Sequence, residues 1–168
     1  MLFDSKNVLR MFAVVLLLTG GMMSVAHAED DDDDDEHMPA VKNALWQTEC
    51  GSCHVAFPPR LLPAESWQAM MSGLDKHFGS DASLDAPSAR EIGAFLDKNA
   101  GRNRHTTSGK QGKPILRITE TRWFVREHDE VSDRTWKNPK VKSAANCAAC
   151  HTEAESGNYG ERGIRIPK

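Results

Sequence analysis

Two five-residue phrases constrain this chain more than anything else in it: Cys50-Gly51-Ser52-Cys53-His54 and Cys147-Ala148-Ala149-Cys150-His151. They use all four cysteines, and each pair is followed at once by a histidine. In Cys-x-x-Cys-His the thiols lie about one helical turn apart, so both can add across the vinyl groups of a haem while the adjoining imidazole meets the iron. A four-cysteine zinc site would use the same thiols but gives His54 and His151 no role. A redox dithiol leaves them equally unexplained, and in an exported protein it tends to oxidise. The pattern predicts two covalently bound haem c groups. Cys50, Cys53, Cys147 and Cys150 are the attachment residues, and His54 and His151 the proximal iron ligands.

The start of the chain reads as an export signal. Lys6 and Arg10 precede eight apolar residues at 11–18, and Ala26-His27-Ala28 supplies a cleavage site, so residues 1–28 are expected to be a cleaved signal peptide. The apolar run is well short of the roughly 20 residues of a spanning helix, and no later stretch approaches that length, so no membrane span is expected after cleavage. Haem is attached to c-type cytochromes outside the cytoplasm, which points to a bacterial periplasm. Residues 29–36 are eight consecutive acids. They repel one another and have nothing to bury, so 29–38 is expected to be a disordered acidic tail; screening of a basic surface, or cation binding with His37, is the alternative use.

Each porphyrin is a large apolar disc and becomes the centre of its own small core. The expected organisation is mainly α, with two haem-centred lobes: a first haem domain at 39–100, a basic polar linker at 101–114 and a second haem domain at 115–168. Residues 37–97 hold four Lys/Arg against seven Asp/Glu, a net of −3, whereas 98–168 hold fifteen against eight, a net of +7. This dipole is suited to steering a transient protein partner. No nucleic-acid partner is expected.

Within the first lobe, residues 41–50 suit a short helix leading into the haem site, and Phe57-Pro58-Pro59 must leave it in an extended turn. Residues 64–78 read as one helix, with Trp67, Met70, Met71, Leu74, His77 and Phe78 on one stripe. His77 is the candidate distal iron ligand, and Met70 or Met71 is its rival, since Met/His ligation is common in small cytochromes c. Asp85 and Pro87 open a further helix to about Lys98, stopped by residues 99–101.

In the polar linker His105 is a weaker ligand candidate. Residues 115–118 suggest a short extended piece, after which Thr119 or Thr121 caps a brief helix carrying Phe124 and His128 on one face. His128 is the second candidate distal ligand, with Asp129 and Glu130 near enough in sequence to accept its other ring proton. It precedes His151 by 23 residues, as His77 follows His54 by 23. The simple pairing is His54 with His77 and His151 with His128. Trp136 and a helix at 141–149 are expected to wall the second haem, with 159–166 closing it. Arg162 and Arg165 are candidate partners for propionates.

Longer phrases carry a resemblance. They are Trp46-Gln-Thr-Glu-Cys-Gly-Ser-Cys-His54 running into Phe57-Pro58-Pro59, then Leu61-Leu62-Pro63-Ala64, Ser66-Trp67 and Lys76-His77-Phe78-Gly79. Later come Ile118-Thr119-Glu120-Thr121, Glu127-His128-Asp129, Asn146-Cys147, and Glu161-Arg162-Gly163-Ile164-Arg165-Ile166-Pro167. Together they resemble the small periplasmic dihaem cytochrome c family of proteobacteria. The resemblance implies two bis-histidine haems, a class I cytochrome c-like first domain, an unusual second domain, and electron transfer as the activity. It also implies two partners, a soluble oxygen-binding monohaem cytochrome c and a membrane b-type cytochrome. The long acidic run departs from the family pattern.

The leading expectation is an electron carrier and not an enzyme, because two imidazoles on each iron leave no position for a substrate. The competing classes are a haem enzyme of peroxidase or nitrite reductase type and a redox or gas sensor. Either would need one releasable axial ligand.

Overall fold

The computed structural model describes residues 41–102 and 113–168. The expected signal peptide and acidic tail lie outside them, as do His37 and His105. Among the described residues the regular structure is helical: α-helices joined by short 3-10 turns, without a β-strand. None of these helices is long and apolar enough to cross a membrane.

Helix α1 (Ala44–Gly51) begins where the Asn43 side chain accepts a hydrogen bond from the Trp46 amide at 2.7 Å, and it carries Cys50 in its last turn. The proline pair then does what its chemistry requires. Pro58 is extended and Pro59 opens a 3-10 turn, Pro59–Leu61, at a position where the missing N–H costs nothing.

Helix α2 (Ala64–Met71) is shorter than the apolar stripe predicts. The expected helix through residue 78 breaks at Ser72-Gly73, where the Ser72 hydroxyl turns back to the Ala69 carbonyl. Serine competes for local backbone groups and glycine costs about 1 kcal/mol in a helix. A 3-10 turn, Leu74–Lys76, follows, and then a tight reversal with positive φ at Phe78 and Gly79. His77 therefore sits in a turn, not on a helical stripe.

Helix α3 (Ala86–Asn99) forms as its sequence signals. Asp85 caps it through the Ser88 amide at 3.0 Å, Pro87 lies in its first turn, and Ile92 and Leu96 are buried. It packs across α2 and α1, with Asn43 donating to Glu91 and Gln68 to Asp97. Trp46, Leu62, Trp67, Ile92 and Leu96 form the core. The Trp67 indole N–H is satisfied by the Pro59 carbonyl at 2.6 Å. The chain leaving α3 lies directly on the 3-10 turn. Gly101 donates to Leu62 at 2.9 Å, and a Cβ there would collide with the Arg60 carbonyl.

Ile115 and Ile118 pack against this same core. Instead of an extended piece ending at 118, a 3-10 turn spans Ile118–Glu120. Buried Thr121 then accepts from the Phe124 amide and donates to the Ile118 carbonyl, fixing the start of α4 (Arg122–Glu127). Helix α5 (Asp133–Trp136) is capped by Ser132.

The helix expected at 141–149 does not form. Ser143 Oγ accepts from the Ala145 amide and the Asn146 side chain donates to the Val141 carbonyl. Such local bonds compete with a helical ladder, and Lys142 takes a left-handed φ of 63°. Only a 3-10 turn, Cys147–Ala149, remains. Two more, Ala154–Ser156 and Glu161–Gly163, lead into the closing segment. That segment is pinned by Arg165 N–H to the Cys150 carbonyl at 2.8 Å and by the Asn138 side chain to the Pro167 carbonyl at 3.1 Å.

Candidate haem sites

At the first motif, α1 delivers Cys50 half-buried while Cys53 is exposed on the turn beyond it. Burial, followed by the charge of Glu49, pushes the Cys50 thiol up to about 11. His54 Nδ1 lies 2.7 Å from the Val55 carbonyl. A carbonyl only accepts, so Nδ1 carries the proton and the Nε2 lone pair is free for a metal. The ring stacks on Phe57 at 4.7 Å. Facing it is His77, with ring centroids 6.2 Å apart and planes inclined by 25°. Burial, followed by the neighbouring His54, holds the His77 pKa below its ordinary value, which favours a neutral, ligating imidazole. Met70 and Met71, the rival candidates, pack against the core.

The second motif reaches a similar arrangement from a different backbone. Cys147 and Cys150 bracket the 3-10 turn, and the His151 amide bonds back to the Cys147 carbonyl at 2.8 Å. Burial raises both thiols, Cys147 to about 11. His128 ends α4, and its Nδ1 meets the Phe124 carbonyl at 2.9 Å. This main-chain group, not the expected Asp129 or Glu130, takes the ring proton. The His128 ring stacks on Phe124 at 4.1 Å and lies 5.9 Å from Trp136. His128 and His151 centroids are 6.1 Å apart, with planes inclined by 68°. Burial and then His128 lower the His151 pKa, against a smaller raising effect of the Tyr159 backbone.

These residues suit haem better than a bare metal. Among the described residues no three His, Cys, Asp or Glu side chains cluster as a metal cage. A metal–imidazole bond is about 2 Å long. Two of them in line through one ion, with roughly another 1 Å from each nitrogen to its ring centre, separate the centroids by about 6 Å. Both histidine pairs have that separation. Of the four buried side-chain polar atoms without a hydrogen-bond partner among the described residues, Ser66 Oγ lies in α2, and the other three, His77 Nδ1, His151 Nδ1 and the Tyr159 hydroxyl, belong to the two histidine pairs and their surroundings.

Sequence reasoning missed Phe57 as a ring against His54, although its place three residues on was a signal. It also missed Tyr159, 5.4 Å from His151. Trp136 lies in the wall of the second site as expected. Arg165 spends its Nη1 on the carbonyls of Arg162 and Ile164.

The chain matches the dihaem cytochrome c family over residues 46–159. Its fold is similar to a crystal structure of DHC purified from Rhodobacter sphaeroides, at 46% identity and a TM-score of 0.60, covering 71% of this chain and 98% of that one. A second structure, a diheme cytochrome c from the same organism, gives 44% identity and 0.61 over 75% and 98% of the two chains. A diheme cytochrome type c from Shewanella baltica gives 40% and 0.64 over 74% and 93%. No curated protein matches in sequence. This chain belongs to the dihaem cytochrome c family. It accordingly carries two covalently bound haem c groups, and its two Cys-x-x-Cys-His motifs are the sites they fit.

Proposed function

We propose that the protein carries electrons through two haems, each iron held by two imidazoles: His54 with His77, and His151 with His128. The observation that carries this reading is the pair of ring separations, 6.2 and 6.1 Å. Haem iron supplies one-electron exchange, at a potential set by axial ligands, hydrogen bonding and burial. The chain's own residues set those conditions. The Val55 and Phe124 carbonyls take the Nδ1 protons of His54 and His128, which orients each ring and strengthens the opposite nitrogen as a donor. Phe57 stacks on His54 at the first site, and Phe124, Trp136 and Tyr159 stand against the histidines of the second, fixing where each ring can turn.

With both imidazoles of each pair bound, the irons would offer no open position to a substrate, which supports a carrier over an enzyme. The signal pattern at residues 1–28 supports a periplasmic location. The family resemblance supports a membrane b-type cytochrome and a soluble oxygen-binding monohaem cytochrome c as partners. We assign the first haem to residues 39–100 and the second to 115–168, with 101–114 joining them.

The test is the visible spectrum of the reduced protein on mixing with carbon monoxide. The carrier reading predicts no prompt shift at either haem; a prompt shift at one haem would put an enzyme or sensor in its place. Partner exchange is expected to slow as salt rises, because the net charge of +7 over residues 98–168 attracts an acidic docking face. A rate independent of salt would remove that region as the docking surface.

A further inference from the structure

The reversal that presents His77 is strained. Phe78 adopts φ 49° and Gly79 φ 99°, and the Ser80 amide closes on the His77 carbonyl at 3.0 Å. Positive φ at both central residues defines a turn that favours Gly and Asn, and a bulky side chain there is an outlier that its surroundings must hold. Phe78 is 47% exposed, so burial does not hold it. What covers it is Arg117, whose guanidinium carbon sits 4.1 Å from the ring centroid. The same ring meets His77 edge-on at 4.9 Å.

Arg117 is exposed, but its place in the backbone is fixed. It is the residue before the 3-10 turn Ile118–Glu120, and it lies 3.7 Å from Glu120. Ile118 is packed on the first core, and the next residue after that turn, Thr121, caps the helix that ends in His128. One short segment thus reaches back to the His77 turn and forward to the His128 helix.

We infer that Arg117 is a positioning residue for the first haem: by holding Phe78 in its left-handed conformation it keeps His77 turned toward His54, and it ties that ligand to the segment bearing the second haem's ligand. The inference rests on the reading of His77 as an axial ligand. A cation over an exposed aromatic ring shifts a two-state equilibrium by about two- to fivefold. That is the range within which Arg117 holds His77 in place.

The experiment uses the full holoprotein in its ferric state and the rate of cyanide binding at saturating cyanide, where an imidazole must leave first. His77→Ala and His128→Ala identify which optical change belongs to which haem. Arg117→Gln is expected to bind cyanide at the first haem about two- to fivefold faster than wild type, with the second haem unchanged. Phe78→Leu should do the same, and Arg117→Lys, which keeps a cation over the ring, should fall near wild type. An unchanged first-haem rate in Arg117→Gln, including no binding in it or in wild type, overturns the inference, as does an equal rise in Arg117→Lys. If His77→Ala instead remains low-spin at both haems, the ligand reading itself has failed, and with it the inference.

Discussion

At the first site Cys50 rides the last turn of an eight-residue helix, and the opposing histidine arrives from a strained turn beyond α2. At the second, the same five-residue pattern is a 3-10 turn, and the opposing histidine ends a helix whose own carbonyl holds its ring. Centroid separations agree within 0.1 Å, 6.2 against 6.1 Å, while the ring planes differ, 25° against 68°. Under the proposed pairing, the contrast separates what the chemistry demands from what it leaves free. The imidazole spacing is common to both sites, whereas helix type, the order of the two histidines along the chain and the ring angle differ with local packing. The first site leans on a core of two tryptophans and three aliphatics. The second is supported by a smaller aromatic stack of Phe124, His128 and Trp136.

The largest effect that would break the comparison is removal of an opposing histidine. His77→Ala and His128→Ala should each keep both covalent haems and turn one haem high-spin. Two low-spin haems in either variant would strike that residue from the ligand set. Next is Phe124→Ala. It should cost about 3–5 kcal/mol and broaden the second haem's spectrum while leaving the first intact, as measured by denaturant melts followed at each haem band. If the first haem responds first, the two sites are not separately supported.

The first site has its own weak point in Gly101. Gly101→Ala forces a methyl against the Arg60 carbonyl and should cost about 1–3 kcal/mol in the same melts. The smallest effect is at the cap of α3. Bonds from the Ser88 hydroxyl and amide hold the Asp85 carboxyl below the usual range. A depressed folded pKa stabilises above the unfolded value and loses that contribution as pH falls through the folded value. Asp85→Ala should therefore lower the melting point at neutral pH, and the gap to wild type should close in acid.

Much of this was readable in advance, for reasons specific to each residue. Four cysteines with two following histidines left haem as the one chemistry using all six. Asp85 and Pro87 announced α3, and the pair Thr119 and Thr121 announced α4 without deciding between them, because capping is a local matter. The break at Ser72-Gly73 was not read, since the apolar stripe continued through it while the backbone did not. The missing helix at 141–149 has the same origin: Ser143 and Asn146 bond to nearby main chain, a competition that apolar periodicity ignores. The apolar stripe that carries His77 does not exist as a helix, yet the turn brings His77 opposite His54 all the same. Phe78 and Arg117 could not have been paired from sequence, because their contact spans two elements and depends on a rare φ.

The most direct test of paired imidazoles at both irons is low-temperature electron paramagnetic resonance of the oxidised protein. Near-parallel ligand planes split the iron orbitals more than strongly inclined ones. The account therefore predicts two distinct low-spin ferric signals, the second site's extending to the larger g value, with no high-spin component. A high-spin signal integrating to one haem would contradict it, and would mean that one iron is open to an outside ligand.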